Sequence, residues 1–340
     1  MLRGSLTLLC FLGGLALGCT LLAKVAPFPK VGSVSKKLRA FPERYADSEV
    51  IFVGSSRVLH QVIPEEFDAA VQAAGYPMRS FNFGQAGTWP PESFYVTRQI
   101  LKLDAPRLKW IFIELMSIDA VMLFQNDETA QARYWHDRHH TNLAERELFS
   151  LDQPPGFKLQ MLGRHELLWL RQSTNYGSGE PLLRNALSLE KERSEPRTMA
   201  ERAGFLPGPT RALEGEDRTI FLEGLAKTRD GLARQAASLS PALRAELHTL
   251  IAEIRAKGVE PVFFISPGLN PSMNYAEVPD GARLISFCRP DLYPELYQPE
   301  YYYNRVHLNP KGAEVYTSLL AQKYVELCAE KRTDQPRRGP

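Results

Sequence analysis

Apolar residues gather in short, dense runs along this chain, and each run stops abruptly at small or breaking residues. The first is Val50-Ile51-Phe52-Val53 within the stretch Glu49–Arg57, closed by Gly54-Ser55-Ser56. Arg79–Gly84, Lys109–Ser117 and Val259–Ser266 repeat the pattern, and Ala282–Cys288 is a fifth candidate. Runs this short and this continuously apolar mark strands covered on both faces. Between them the spacing changes to that of helices. Phe67, Val71 and Ala74 share a face after Pro64, and Phe94, Ile100 and Leu101 share one after Pro90-Pro91. A further helix is expected over 218–238. The next begins at Ser240-Pro241 and ends at Lys257-Gly258, with a serine cap, a first-turn proline and a glycine stop. The last runs from Pro310 to about Ala329, with Ala313, Val315, Leu319, Leu320 and Tyr324 as its apolar positions. The alternation of strand and helix predicts a three-layer α/β/α sandwich around a parallel sheet. In the flavodoxin-like strand order, strands one and three are neighbours.

Three stretches depart from this rhythm. Residues 1–25 hold Arg3 and then an uncharged run from Leu6 to Ala23, the pattern of an export signal or a membrane anchor. The run is close to the length of about 20 residues that spans a bilayer, and it continues past Cys19 through Thr20-Leu21-Leu22-Ala23. Ala16-Leu17-Gly18-Cys19 also resembles a bacterial lipoprotein signal, which would put a lipid on Cys19. An anchor with the rest of the chain facing the periplasm or cell exterior is the expectation. The positive-inside rule does not supply it, since Lys24, Lys30, Lys36 and Lys37 outnumber Arg3. Residues 26–48 read as a basic, proline-punctuated connector. Residues 49–330 form the α/β domain, interrupted at about 124–217 by a mostly helical insertion, and 331–340 read as a disordered tail.

Composition narrows the function classes. An apolar fraction of 44% supports a real core, and a net charge of +2 gives no electrostatic case for nucleic acid. Of the four cysteines only Cys288 and Cys328 lie beyond the leading apolar segment, too few for a disulfide framework or a zinc pattern, although one bond remains open.

Candidate chemistry gathers at segment ends. A hydroxyl at a strand-to-helix turn suits a nucleophile, although Ser55 or Ser56 could equally cap the helix. His307 lies in the loop of Tyr301–Gly312 just before the last helix, with Asn304 three residues earlier. Glu114 interrupts an apolar strand and needs a partner, which Arg57 could supply if strands one and three are adjacent. His136, His139 and His140 fall at helical spacing but suggest no fourth ligand, so they read as a solvated face and no metal is expected. Tyr297, Tyr301, Tyr302 and Tyr303 read as packing around the last loop or as a carbohydrate-binding rim.

Taken together, these pieces resemble the SGNH, or GDSL-like, hydrolase superfamily. Gly54-Ser55-Ser56 matches its nucleophile turn, and Asn82-Phe83-Gly84-Gln85-Ala86-Gly87 matches its Asn-x-Gly-x-x-Gly block. Asn304-Arg305-Val306-His307 stands at its Asp-x-x-His block. The resemblance covers about 49–117 and 258–330. It implies Ser56 as nucleophile, His307 as general base with Asn304 behind it, and Ser56, Gly84 and Asn82 around the oxyanion. Arg57 and Glu114 would support the turn, with no cofactor. Two positions depart from the family pattern. Met116-Ser117-Ile118-Asp119 has Ile118 where the family carries an oxyanion asparagine, and Asn304 replaces an aspartate. By analogy with exported relatives, the resemblance implies an esterase or O-acyltransferase acting on acylated carbohydrate or a small ester, with a membrane-bound acyltransferase as a possible partner. A catalytically degenerate relative that binds glycan or scaffolds a membrane complex is the alternative.

Overall fold

The computed structural model describes residues 2–25, 31–117, 129–175, 201–232, 237–270 and 275–334. The chain divides into two compact units, one of 1–35 with 119–195, the other of 36–118 with 196–340.

The second unit is α/β, with a five-stranded, all-parallel sheet in the order β2-β1-β3-β4-β5. The strands are β1 (Val50–Val53), β2 (Ser80–Asn82), β3 (Trp110–Glu114), β4 (Glu260–Ile265) and β5 (Arg283–Ser286). Every residue of β1, β2 and β3 is buried, as unbroken apolar runs require. Side chains alternate between faces along each strand. Val50, Phe52, Trp110, Phe112, Val262 and Phe264 join one core with Phe67 and Val71 of α4 (Pro64–Ala73) and Tyr316, Leu320 and Tyr324 of α11 (Pro310–Asp334). Elsewhere α5 (Glu92–Ile100) packs on β1 and β3, and α10 (Pro241–Ala256) on β4. The Ser240 hydroxyl caps α10 by accepting from the Leu243 amide at 3.0 Å, and Gly258 ends it at a φ of +73°.

Local boundaries differ from the sequence expectation where burial overrides composition. Within the presumed connector, Gly32–Arg44 is a helix, α2, that contains Pro42. Phe41 from α2 is fully buried, with its ring centroid 5.3 Å from that of Phe81 and 5.4 Å from that of Phe83. The far end of the expected insertion belongs to the α/β unit. The Asn82 amide donates to Ala203 O at 2.9 Å, the Leu206 amide to Leu59 O at 3.1 Å, and Phe205 is buried. Helix α9 spans Gly215–Leu232, earlier than the spacing suggested, and α11 continues to Asp334, into the stretch expected as tail. Residues 335–340 lie outside the described residues. None of the four cysteines forms a disulfide.

The other unit contains α1 (Leu2–Val25), α6 (Ala130–Tyr134), α7 (Arg138–Ser150) and α8 (Pro155–Thr174). Helix α1 is long and apolar enough to cross a membrane, and no residue of its apolar window Gly4–Leu21 is buried. The histidines here are not a solvated face. His136 sits between helices rather than on one, and His136, His140 and His165 are all buried, leaving only His139 exposed. His136 Nδ1 donates to Ala132 O, so its Nε2 accepts from His165 Nδ1 at 3.0 Å. Core packing, not solvent, claims this motif.

Candidate functional site

In a parallel sheet of this order, β1 and β3 flank the point where the chain turns from one side of the sheet to the other. Crevices form there, at the carboxyl ends of the strands. Gly54 leaves β1 at this end. A Cβ on Gly54 would stand 2.4 Å from Val58 Cγ2 and 2.6 Å from Glu114 Cβ, so only glycine fits.

The two serines that follow divide the work. Ser55 caps α3 (Ser56–Gln61), its Oγ accepting from the Arg57 amide at 3.1 Å. Its own amide donates to Glu114 Oε2 at 2.8 Å. Ser56 is half-buried, and its hydroxyl meets His307 Nε2 at 2.7 Å across 251 residues of chain. Arg57 and Glu114 pair at 2.9 Å between Nε and Oε1, with side chains 6% and 0% exposed. Glu114 therefore ties β3 to both the amide before Ser56 and the guanidinium after it.

His307 is delivered by a loop that sequence alone makes tight. The Tyr303 amide donates to His307 O at 3.1 Å and the Asn309 amide to Tyr301 O at 2.7 Å. Asn309 Nδ2 holds Glu300 O at 2.7 Å, and its Oδ1 accepts from the Gly312 amide at 3.1 Å. Asn304 Oδ1 accepts from the amides of Val306 and His307, each at 2.9 Å, and lies 3.1 Å from His307 Nδ1. Two main-chain donors on one atom identify it as the amide oxygen, an acceptor only. His307 Nδ1 must then carry the proton, which leaves the Nε2 lone pair for the Ser56 hydroxyl. Burial lowers the His307 pKa to about 4, and the charges of His60 and Arg57 push the same way against Glu114. The imidazole is neutral at neutral pH and available as a base.

The expected oxyanion donors fare differently. Gly84 N donates to Asn82 Oδ1 at 2.7 Å, and Asn82 Nδ2 donates to Val58 O and Val62 O, each at 2.7 Å. Asn82 thus fastens the end of β2 to α3, and neither group is available to a ligand in this arrangement. The glycine is needed for packing, because a Cβ on Gly84 would lie 2.3 Å from Leu59 N. Of the three expected donors only the Ser56 amide, first in α3, is left without an intrahelical partner. Ile118 lies outside the described residues.

Several neighbours were not visible as site residues in the sequence. His60 follows Ser56 by one helical turn, and its Nδ1 donates to Leu206 O at 2.7 Å. Its pKa is lowered, chiefly by burial, and its ring stands 6.4 Å from that of His307. The four-residue spacing to Ser56 was the available signal. Tyr303 stacks on His307 with centroids 5.5 Å apart and planes at 11°, whereas Tyr297 and Tyr302 are buried in the core. Lys37 of α2 donates to Gly84 O at 2.6 Å, and nothing in its basic surroundings marked it out. One cavity of about 670 Å³ lies at the opposite, amino ends of the strands, where Glu49 pairs with Lys109 and Arg255 with Glu260.

No protein-family model matches the chain, and no curated protein matches it as a relative. A serine hydroxyl on a neutral, oriented imidazole is suited to acyl transfer through a covalent intermediate.

Proposed function

We propose that this chain is an SGNH-type serine esterase or O-acyltransferase, built on a three-layer sandwich of flavodoxin-like order. Its substrates in this reading are ester groups, O-acetyl above all, on cell-envelope or extracellular polysaccharide. Helix α1 anchors it, with the site facing the periplasm or cell exterior, and a membrane-bound acyltransferase is a fitting acyl source. The observation that carries the reading is the 2.7 Å contact from Ser56 Oγ to His307 Nε2, with Nδ1 fixed by Asn304.

In this mechanism Ser56 Oγ attacks the ester carbonyl while His307 Nε2 takes its proton. The Ser56 amide holds the oxyanion. Collapse expels the alcohol, which leaves with the proton from the imidazolium. Water or a sugar hydroxyl then gives its proton to His307 and attacks the acyl-serine, and the imidazolium returns the proton to Ser56 Oγ as the acid or transferred ester is released. Removing one oxyanion donor costs a factor of about 10² to 10³ in rate, so a site with one amide should be slow unless another group contributes.

The engagement of Gly84 and Asn82, and Asn304 in place of aspartate, favour a second reading as a degenerate SGNH-like protein that binds glycan or scaffolds a membrane complex. A fluorophosphonate probe separates the two. The enzyme reading expects label on Ser56, none in Ser56→Ala and strongly slowed labelling in His307→Ala. Folded wild-type chain that takes no label supports the scaffold.

A further inference from the structure

Helix α8 is apolar on two opposite faces. Met161, His165 and Leu168 are its buried residues, and the helix packs on α6 and α7. At about 100° per residue, Leu159, Gly163, Leu167 and Leu170 fall together on the far side. The three leucines there are 71%, 44% and 46% exposed, and no atom lies within 4 Å of where a Gly163 Cβ would stand. Phe149, at the end of α7, is 57% exposed, and its carbonyl accepts from Lys158 Nζ at 3.0 Å. Single apolar side chains on a surface need no explanation, but a row of them along the outer face of a helix does. A helix with water on that side carries polar residues there.

The surroundings of the row identify its solvent. Helix α8 belongs to the same compact unit as α1, and α1 packs against it. Within the apolar window of α1 only Gly18 and Cys19 are half-buried, near the end where a span leaves the hydrocarbon. Arg164 and Arg171 follow one border of the leucine row, where lipid phosphates would meet them. The single acidic residue of α8, Glu166, is taken by Arg138 at 2.8 Å. Three leucines and a phenylalanine offer too little for the roughly 800 Å² per partner that a standard protein interface buries. Lipid asks only that apolar groups reach the acyl boundary. We propose that α8 is an interfacial helix, lying along an anionic bilayer surface with Leu159, Leu167 and Leu170 among the acyl chains. This rests on the reading of α1 as a retained anchor. The unit is then held to the membrane at two places rather than swinging on one helix.

The test uses the full chain in nanodiscs of phosphatidylcholine with one quarter phosphatidylglycerol. The photo-cross-linker p-benzoylphenylalanine replaces Leu159, Leu167 or Leu170 one at a time, and Leu12 of the span in a reference chain. All four positions are exposed, so the core is left intact. After irradiation, intact-mass spectrometry is expected to show phospholipid adducts at the three α8 positions, at yields within about threefold of that at Leu12. Lipid adduct at Leu12 but none on α8, or α8 cross-links to a second copy or another protein instead, overturns the interfacial helix. Folded chain with no lipid adduct at Leu12 overturns the anchor itself and removes the premise of the proposal, so the two failures are distinct.

Discussion

At Asn304 one oxygen accepts from two amides and from His307 Nδ1, so the residue that orients the base also builds the loop that carries it. A neutral amide gives the imidazolium no charge to pair with, consistent with a His307 pKa near 4, where burial dominates. The base must be neutral to act. Labelling of Ser56 should therefore stay on its plateau as pH falls through 6 and drop only near pH 4. Asn304→Asp places a carboxylate against Nδ1 and favours the protonated ring, so the acid limb should move up by about 1 to 3 units. An acid limb at the same pH in both chains, fitted from rate constants between pH 3.5 and 8, would show that Asn304 does not face the working base. Glu114 works on the other side of Ser56. Removing one member of a buried ion pair typically costs about 3–5 kcal/mol, and here it would also release the Ser55 amide. The need of Glu114 for a partner was legible, because a carboxylate inside an apolar strand cannot be left bare. The division between Ser55 as cap and Ser56 as partner of His307 was legible only through the resemblance of Gly54-Ser55-Ser56 to the family turn. Adjacent serines have the same chemistry, and only the helix start decides which one turns inward.

Elements show where the apolar pattern is informative and where it fails. Strands β1 to β4 and the helices α4, α5, α10 and α11 follow from runs and spacings, since each buries a continuous face, and the edge strand β5 follows from its short apolar run although it is only half-buried. Helix α2 was hidden because Pro42 and its two lysines read as linker, and only the aromatic pocket of Phe81 and Phe83 explains why Phe41 folds in. The histidines were misassigned for a related reason. Helical spacing says which residues share a face, not whether that face meets solvent or a neighbouring helix such as α8. Their burial has a consequence for α6–α8. His165 is held near pKa 4 and His136 well below its ordinary value, chiefly by burial. The unfolded chain therefore binds these protons first, at about 6.5, and the native state is stabilised above that pH. The stabilisation is lost as pH falls toward 4, by about 3 kcal/mol for His165 alone. Glu145 has the opposite sign: burial and Glu166 raise it to about 7, so it weakens the fold as pH rises through that value. Amide protection in α7 and α8, taken relative to the intrinsic exchange rate at each pH, should thus be greatest slightly below neutrality and fall toward pH 4. Protection unchanged between pH 7 and 4 would mean that these rings are not buried and neutral.

Across the whole molecule, a leader that shuns water is joined to an α/β unit that carries the candidate site. Helix α1 has 24 residues, about 36 Å at 1.5 Å per residue, against a hydrocarbon core of about 30 Å. Its Gly4–Leu21 window contains no charge and no buried residue, so water is the wrong solvent for it. The sequence makes this helix legible by hydropathy alone, whereas its orientation depends on flanking charge, and Lys24, Lys30, Lys36 and Lys37 compete with Arg3. Lys37 should be removed from that tally, because its ammonium is bound to Gly84 O in the folded unit rather than free at a membrane surface. Export of the α/β unit is the outcome expected of a polysaccharide esterase, and each competing fate of the leader gives a different result. A retained anchor leaves the intact chain in membranes after alkaline carbonate, with an alkaline phosphatase fused after Pro340 active outside the cytoplasm. Lipidation would remove the residues before Cys19 and add the mass of acyl chains, and a cleaved signal would release soluble protein. An inactive phosphatase fusion, with a cytoplasmic reporter active at the same position, would put the site on the side where envelope polysaccharide is absent. The glycan substrate class would then fall, even if Ser56 still reacts with the probe.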